Sequence, residues 1–310
     1  MDVIYYPDAA SPAWQAPVVA LGNFDGIHRG HQKLIDEVRR RARECAGTSV
    51  AMTFDPHPSR ILRPEKAPPR LMTLDQKLEA FERAGMDAVA IVRFTHDVSQ
   101  WEPEFFVEAV LVDWARVHDV WVGANFLFGR DRMGTVTLLR ALGRDRGFKV
   151  EQIEPVRYKE FVVSSTRVRR LLDEGRVDEA GSLLGHHYFV DGTVVHGEAR
   201  GRTLGFPTAN IDCVNELIPA IGIYVTIAII DGVTHPAVTS IGVRPTIGDG
   251  PLTVETHVLD GAGNLYGKRL RVAFVTRLRD EVKFESLGAL QAQMALDCGD
   301  ARALFSKMAL

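Results

Sequence analysis

Two patterns of apolar residues divide the chain. Up to about residue 185, short β-branched runs alternate with longer stretches in which apolar residues recur every three or four positions. This alternation is typical of a parallel sheet covered by helices. Because ligands of such sheets bind at the carboxyl ends of the strands, we expect a site there. The predicted strands are Val18–Leu21, Ser49–Phe54, Ala88–Val92, Val120–Val122 and Lys149–Ile153, and the predicted helices are Gln32–Arg43 and Thr135–Arg146.

The second pattern is β-rich. The runs VDGTVVHG, GIYVTIAIIDGVTHPAVTSIGV, VETHVLD and LYGKRLRVAFV are separated by Gly-containing turns, which predicts a small antiparallel barrel. Asp231 and Gly232 give the signal of a tight hairpin between two of its strands. A last helix is predicted over Glu285–Ala295. We therefore predict two domains, residues 1–185 and 186–310.

Composition narrows the class of protein. The 310 residues exceed the length at which one core keeps growing, and 46% hydrophobic with 25% charged residues is typical of a soluble globular chain. The net charge of -3 provides no overall positive field for nucleic acid. The sequence contains neither a membrane-length apolar run nor a basic, apolar signal peptide. We expect a cytoplasmic monomer or weak homo-oligomer that binds neither nucleic acid nor membranes.

The segment VVALGNFDGIHRGHQKLI joins a predicted strand to a predicted helix. Its glycines allow close backbone approach, and a helix start favours phosphate, although a glycine-rich turn with two exposed histidines fits the spacing equally well. The segment resembles the HxGH signature of nucleotidyltransferases. That resemblance implies catalytic roles for His28 and His31 and a phosphate-binding loop of Gly22, Phe24, Asp25, Gly26 and Gly30.

Other stretches extend this resemblance. VVSSTRVRRLLDEG is similar to the ISSTxIR motif, although by itself the SST sequence is an ordinary helix cap followed by a basic face. TFDPHP and VGANFLFG resemble blocks of the FAD synthetases. The implied residues are Ser164, Ser165, Thr166, Arg169 and Asn125 for the nucleotide, and Phe54 and His57 for flavin.

The barrel contains an independent motif, GEARGRTLGFPTANI. The side chains of Thr208 and Asn210 alternate with those of Pro207 and Ala209, so both can point to one face. The motif resembles the GRxLGFPTAN signature of riboflavin kinases, which implies that Thr208 and Asn210 hold Mg²⁺ and ATP phosphates. The resemblance implies that Glu255 is the general base, whereas the alternating strand pattern alone predicts an outward-facing, solvated residue. It also implies nucleotide binding by Gly201, Gly205 and Pro207 and flavin binding by Phe206, Tyr224 and Arg279.

Together the halves resemble the bacterial bifunctional riboflavin kinases and FAD synthetases. The resemblance implies an α/β chain: a Rossmann-like nucleotidyltransferase domain, then a small antiparallel β-barrel flavokinase domain with a C-terminal helix. It implies that ATP phosphorylates riboflavin to FMN and adenylylates FMN to FAD, with Mg²⁺ in each step. Three alternatives remain: an adenylyltransferase whose barrel only senses flavin, a nucleotidyltransferase of another pathway, and a non-catalytic flavin-binding protein. Ser240 and the loop Gly261–Asn264 depart from the family pattern, which implies altered flavin affinity.

Overall fold

The computed structural model describes residues 1–197, 205–243, 252–261 and 263–308. The chain forms two compact units, Met1–Ser164 and Ser165–Leu310. The division therefore falls some twenty residues before the predicted boundary at residue 185, which stays a prediction.

The first unit is built on a parallel sheet of six strands, in the order β1-β4-β3-β2-β5-β6. From β2 the chain moves outward through β3 and β4, then returns to the other side of β2 to form β5. The strand order thus reverses between β2 and β5, and such a switch point opens a crevice at the carboxyl ends of the strands. The strands are β1 Asp2–Tyr6, β2 Val18–Leu21, β3 Ser49–Asp55, β4 Ala88–Arg93, β5 Asp119–Val122 and β6 Lys149–Gln152.

Both faces of this sheet are covered. All four residues of β2 are buried, because Val19 and Leu21 face one core while Val18 and Ala20 face the other. Alternation of side chains across a strand produces this arrangement, and burial on both sides explains the continuous apolar runs. The predicted strands are confirmed to within one residue at each end, while β1 was not predicted.

Helices pack on both faces of the sheet and complete the two hydrophobic cores. The first begins at Arg29, three residues before its predicted start, because the side chain of His28 caps it. The helices are α1 Arg29–Glu44, α2 Pro58–Leu62, α3 Leu74–Arg83, α4 His96–Ser99, α5 Pro103–Phe106 and α6 Val136–Arg146. Helix α5 continues as a π-helix over Val107–Trp114, and 3-10 turns span Pro64–Lys66 and Arg130–Arg132. A short hairpin pairs β7 Arg157–Tyr158 with β8 Phe161–Val162.

The second unit is a closed six-stranded barrel in the order β10-β13-β12-β11-β14-β9, and every pairing that defines it is antiparallel. The predicted hairpin is confirmed: Ile230 pairs with Val233, and Asp231 and Gly232 both have positive φ. The strands are β9 Tyr188–Val195, β10 Ala209–Cys213, β11 Gly222–Ile230, β12 Val233–Val243, β13 Leu252–Val258 and β14 Arg269–Arg279, and helices α7 Ser165–Asp173 and α8 Val177–Leu184 precede them.

The last helix is longer than predicted and shifted towards the C-terminus. Helix α9 spans Leu287–Phe305, with Ser286 as its cap, instead of Glu285–Ala295. Its second half provides the reason, since Cys298, Ala301 and Phe305 pack against apolar residues on the outer face of the barrel. Tertiary packing therefore extends a helix whose own sequence shows weak amphipathic periodicity.

Candidate active sites

The first site is the loop that follows β2. The Gly22 amide donates to the Met52 carbonyl oxygen at 3.1 Å, so the loop starts in register with the neighbouring strand. The chain then turns through positive φ at Phe24, Gly26 and Ile27. The carboxylate of Asp25 is buried and accepts the Leu71 amide at 3.0 Å. The buried side chain of Asp25 thus anchors the predicted phosphate loop to the segment around Leu71.

The side chain of Phe24 anchors the loop in the hydrophobic core. Its ring is fully buried and lies 5.2 Å, centroid to centroid, from both Phe81 and His31. A side chain at Gly22 would contact this ring at 3.4 Å. The side chain of Phe24 therefore packs in the core, and only its backbone can face a nucleotide.

The two histidines of the first site form one stacked pair. Their ring centroids are 3.7 Å apart with an interplanar angle of 12°. The Nδ1 of His28 caps α1 by accepting the His31 amide at 3.3 Å. Because Nδ1 is an acceptor there, the neutral ring carries its proton on Nε2. His28 therefore has its Nε2–H left as a donor.

Burial keeps this pair uncharged. Desolvation lowers the pKa of His28 to about 4. Desolvation lowers the pKa of His31 well below its ordinary value, and repulsion by a protonated His28 and by the Lys77 ammonium acts in the same direction. The Nδ1 of His31 is buried, and no described residue forms a hydrogen bond with it. A buried polar atom without a protein partner indicates a ligand or water.

The start of α1 favours an anion. The first turn contains no acidic residue, so the helix dipole is not neutralised from within the helix. At Gly30 a Cβ atom would approach the His28 ring to 3.2 Å, so glycine leaves that ring undisturbed.

The candidate residues in and after β3 and β5 differ in their surroundings. Asn125 is exposed in the turn after β5, on the other side of the switch point from Gly22. Phe54 is buried among Phe94 and Phe106. His57 caps α2, where its Nδ1 accepts the Ser59 amide at 3.2 Å. Flavin binding by Phe54 and His57 stays a prediction.

The SST motif spans the division between the units. Ser164 ends the first unit, while Ser165 and Thr166 form the first turn of α7 and Arg169 follows one turn later. The first turn of α7 also lacks acidic residues, as an anion-binding helix start requires. Triphosphate binding by Ser164, Ser165, Thr166 and Arg169 stays a prediction.

The second site is a row of polar side chains across three barrel strands. In the strand register Glu255 lies directly between Asn210 on one neighbour and Ser240 on the other, so all three share one face. The Thr208 hydroxyl donates to Glu255 Oε2 at 3.2 Å. A Cβ on Gly197 would come within 2.2 Å of Asn210 Nδ2, so the Asn210 side chain packs directly on this glycine. The predicted Thr208, Asn210 and Glu255 are thereby brought together.

The segment before Thr208 is fixed by one aromatic contact and one hydrogen bond. His257 Nδ1 donates to the Pro207 carbonyl oxygen at 2.8 Å, and the His257 ring meets Phe206 edge-on at 5.5 Å. Gly205 adopts positive φ, which glycine tolerates best. Gly201 lies outside the described residues.

A cavity of about 630 Å³ opens beside Thr208. Apolar side chains of β9, β10 and β13 form much of its wall, together with the loop that contains Asn264 and Tyr266. The Tyr266 ring stacks on His196 with centroids 3.9 Å apart. A volume of this size with a flat aromatic wall suits a heterocyclic ligand.

This aromatic wall was not predicted from the sequence. Tyr266, two positions after the loop Gly261–Asn264, lines the cavity. The segment LYGKRL contained the signal, although no periodicity distinguishes a cavity tyrosine from a surface one.

Three buried threonine hydroxyls cross the barrel interior. Thr226 and Thr239 are 2.7 Å apart, and Thr239 and Thr256 are 2.9 Å apart, oxygen to oxygen. Thr256 also forms part of the cavity wall. The cavity is therefore linked to a hydroxyl chain that satisfies its own buried polar atoms.

Two predicted flavin residues have structural partners. Tyr224 is fully buried and donates to the Ala220 carbonyl oxygen at 2.5 Å. Arg279 forms an ion pair with Asp297 of α9, with Nη2 and Oδ2 2.7 Å apart. Their binding to flavin stays a prediction.

No three acidic, histidine or cysteine side chains of the described residues are grouped as a metal site. The side chains of Thr208, Asn210 and Glu255 instead offer hydroxyl, amide and carboxylate oxygens. Such hard oxygen donors suit Mg²⁺ that is shared with phosphate groups. Within the described ranges no helix is long and apolar enough to cross a membrane.

Comparisons with known proteins agree with this division of the chain. The family model described as FAD synthetase matches residues 10–167, and the one described as riboflavin kinase matches residues 184–305. A solved structure described as a macrolide-efflux protein from Streptococcus pneumoniae superposes with a TM-score of 0.88 at 28% identity, covering 97% of this chain and 99% of that one.

Curated relatives match over almost the whole length. The bifunctional riboflavin kinase/FMN adenylyltransferase of Pseudomonas fluorescens is 40% identical over 94% of both chains. The protein of the same description from Escherichia coli K12 is 37% identical over 94% of this chain and 95% of its own. Both halves and their order therefore agree, and this chain belongs to the family of bifunctional riboflavin kinases/FMN adenylyltransferases.

Proposed function

We propose that the barrel phosphorylates riboflavin to FMN with ATP and that the first unit adenylylates FMN to FAD, releasing pyrophosphate. The observation that carries this proposal is the contact between the Thr208 hydroxyl and the Glu255 carboxylate beside a cavity sized for a heterocycle. It supports a barrel site in which Glu255 accepts a proton and Thr208 binds phosphate, whereas the first site offers uncharged imidazoles at a helix start.

In the kinase step Glu255 accepts the proton of the ribityl hydroxyl as that oxygen attacks the γ-phosphorus of ATP. A hydroxyl is neutral near pH 7, so a carboxylate within reach lowers the barrier. The Thr208 hydroxyl orients this carboxylate, and Asn210 lies directly across from it in the strand register. The cavity beside Thr208 takes the nucleoside end of ATP, with Tyr266 against the base.

In the adenylyl step the nucleophile is the phosphate of FMN. Its second pKa near 6 leaves it mostly ionised at pH 7, so the site needs charge stabilisation more than a base. The Nε2–H of His28 donates to oxygens at the α-phosphorus, and the amides at the start of α1 face the same charge. Loop amides near Gly26, and Asn125 across the switch point, complete this proposed nucleotide site.

Mg²⁺ fits the barrel site. Thr208 and Asn210 would hold it through oxygen atoms, together with the phosphates of ATP. When bound, Mg²⁺ neutralises phosphate charge and orients the terminal phosphoryl group. The same requirement is proposed for adenylyl transfer, since both steps use ATP.

We also propose a cytoplasmic location, because both reactions require ATP. The three cysteines are free thiols, in keeping with a reducing compartment. A monomer or weak homo-oligomer that acts on riboflavin, FMN and ATP remains our expectation.

The test is direct. Purified protein is incubated with riboflavin, ATP and Mg²⁺, and the three flavins are separated by chromatography over time. We expect FMN first and FAD after it. FAD from added FMN, without FMN from riboflavin, would leave an adenylyltransferase with a sensing barrel. No product from either flavin would contradict both activities.

A further inference from the structure

A lysine is buried beneath the phosphate loop of the first unit. Lys77 lies on α3 and is 8% exposed. Its ammonium donates to the Asn23 carbonyl oxygen at 2.8 Å and lies 3.5 Å from the Thr53 hydroxyl oxygen. That hydroxyl donates to the same carbonyl oxygen at 3.3 Å. Two donors from different elements thus fix one peptide of the loop between Gly22 and Phe24.

Such burial needs a compensating gain. Lysine is almost never fully buried unless paired, because an ammonium loses its hydration. Desolvation is the largest influence and lowers the pKa of Lys77, while Asp25 and Asp55 attract its charge and Arg70 repels it. Arg70 is in turn 3.8 Å from Asp55.

The charge of Lys77 acts on His31. It opposes protonation of His31, in the same direction as burial and the stacked His28 ring. Protonation would disturb the site, because a protonated Nδ1 on His28 cannot accept the His31 amide that starts α1. Two charged rings at 3.7 Å would also repel each other.

We propose that Lys77 is a positioning residue for adenylyl transfer, which fixes the Gly22–Gly26 loop through Asn23 beside the stacked histidines. The inference rests on the proposed adenylyl transfer. It adds a residue on α3, far from the HxGH motif in sequence, to the machinery of the first site.

Three variants separate its contributions. Lys77→Met removes both the hydrogen bond and the charge, Lys77→Arg keeps the charge, and Thr53→Val removes only the neutral donor to the Asn23 carbonyl. FAD formation from FMN and FMN formation from riboflavin are measured for each. The titration of His31 is followed by NMR of protein labelled at histidine, with the signal assigned from a His31→Gln variant.

We expect Lys77→Met to lower kcat for FAD formation on the order of 10²-fold, as misplacement of reacting groups does. His31 should then titrate at higher pH than in the parent protein. Lys77→Arg should restore the parent titration, whereas Thr53→Val should lower kcat less and leave the titration in place. FMN formation should be unchanged in all three.

An unchanged kcat for FAD formation in Lys77→Met, or an unmoved His31 titration, would overturn the inference. If Lys77→Met fails to fold, Lys77→Gln, which retains a donor without the charge, has the same expected effect on His31. A parent protein that makes no FAD would contradict the proposed function instead, and the NMR titration would still test the electrostatic role.

Discussion

The two candidate sites offer different side chains for binding phosphate. The barrel site sets a half-buried carboxylate, Glu255, against a hydroxyl and an amide. In the first site the loop carboxylate, Asp25, is buried and accepts a backbone amide, while stacked neutral histidines lie at the start of a helix. The difference matches the two proposed nucleophiles, because a sugar hydroxyl must lose a proton and a phosphate is already charged. A carboxylate that binds the backbone, such as Asp25, thus supports a loop, whereas a more accessible one, such as Glu255, is suited to act as a base.

The largest expected effect comes from Glu255→Gln, which keeps the shape of the side chain and removes its basicity. Loss of a general base lowers the rate about 10²–10⁴-fold. We expect this loss in FMN formation from riboflavin, measured by chromatography of initial rates. FAD formation from supplied FMN should persist at the parent rate, and a fall in both would erase the contrast between the sites.

His28→Ala should produce the reverse. Losing one preorganised donor raises the barrier by about 3 kcal/mol, roughly a hundredfold or more in rate. FAD formation should fall by that factor while FMN formation is spared. His28→Asn provides the control, because asparagine is a good helix cap. If His28→Asn restored the activity, the cap rather than the imidazole donor would explain the loss.

The first unit should also be the acid-sensitive one. The pKa of His28 is about 4 in the folded protein against 6.5 as its ordinary value, so the unfolded chain binds more protons between these values. The contribution of His28 to stability is therefore fully present above pH 6.5 and falls by about 3 kcal/mol as the pH drops to 4, and the lowered pKa of His31 acts in the same direction.

Tryptophan fluorescence isolates this effect. The four tryptophans, Trp14, Trp101, Trp114 and Trp121, all lie in the first unit. Urea unfolding followed by fluorescence therefore reports on that unit. His28→Asn should make the dependence between pH 6.5 and 4 shallower, because only His31 then binds a proton on unfolding in this window. An equally steep curve in this variant would show that His28 does not contribute to the acid sensitivity.

Gly197→Ala should have the smallest effect. The added methyl displaces the Asn210 amide, which otherwise packs on the glycine, and we expect about a tenfold loss of FMN formation from misalignment. Gly299→Ala is the matched control in the same unit, because a Cβ there meets nothing within 4 Å. Equal rates in the two variants would show that the position of Asn210 does not matter.

Most of the architecture could be predicted from local pattern. Buried parallel strands such as Val18–Leu21 are continuous apolar runs, and the Asp231-Gly232 turn has a specific backbone requirement. The extent of α9 could not be predicted, because its second half is stabilised by packing on the barrel rather than by its own periodicity.

The candidate sites were predictable only where residues follow one another in a motif. The HxGH and PTAN segments locate His28, Thr208 and Asn210, whereas Lys77 and Tyr266 reach their sites through the fold. No local spacing marks a lysine on an amphipathic helix as buried, and Tyr266 becomes a cavity wall only when the barrel closes.

The threonine chain of the barrel has one further consequence. Either oxygen of each linked pair can be the donor, so the chain can run in two directions. In one direction the Thr256 proton is free for the cavity, and in the other its lone pair is. Rotation of the hydroxyl hydrogens alone therefore changes whether Thr256 offers the cavity a donor or an acceptor.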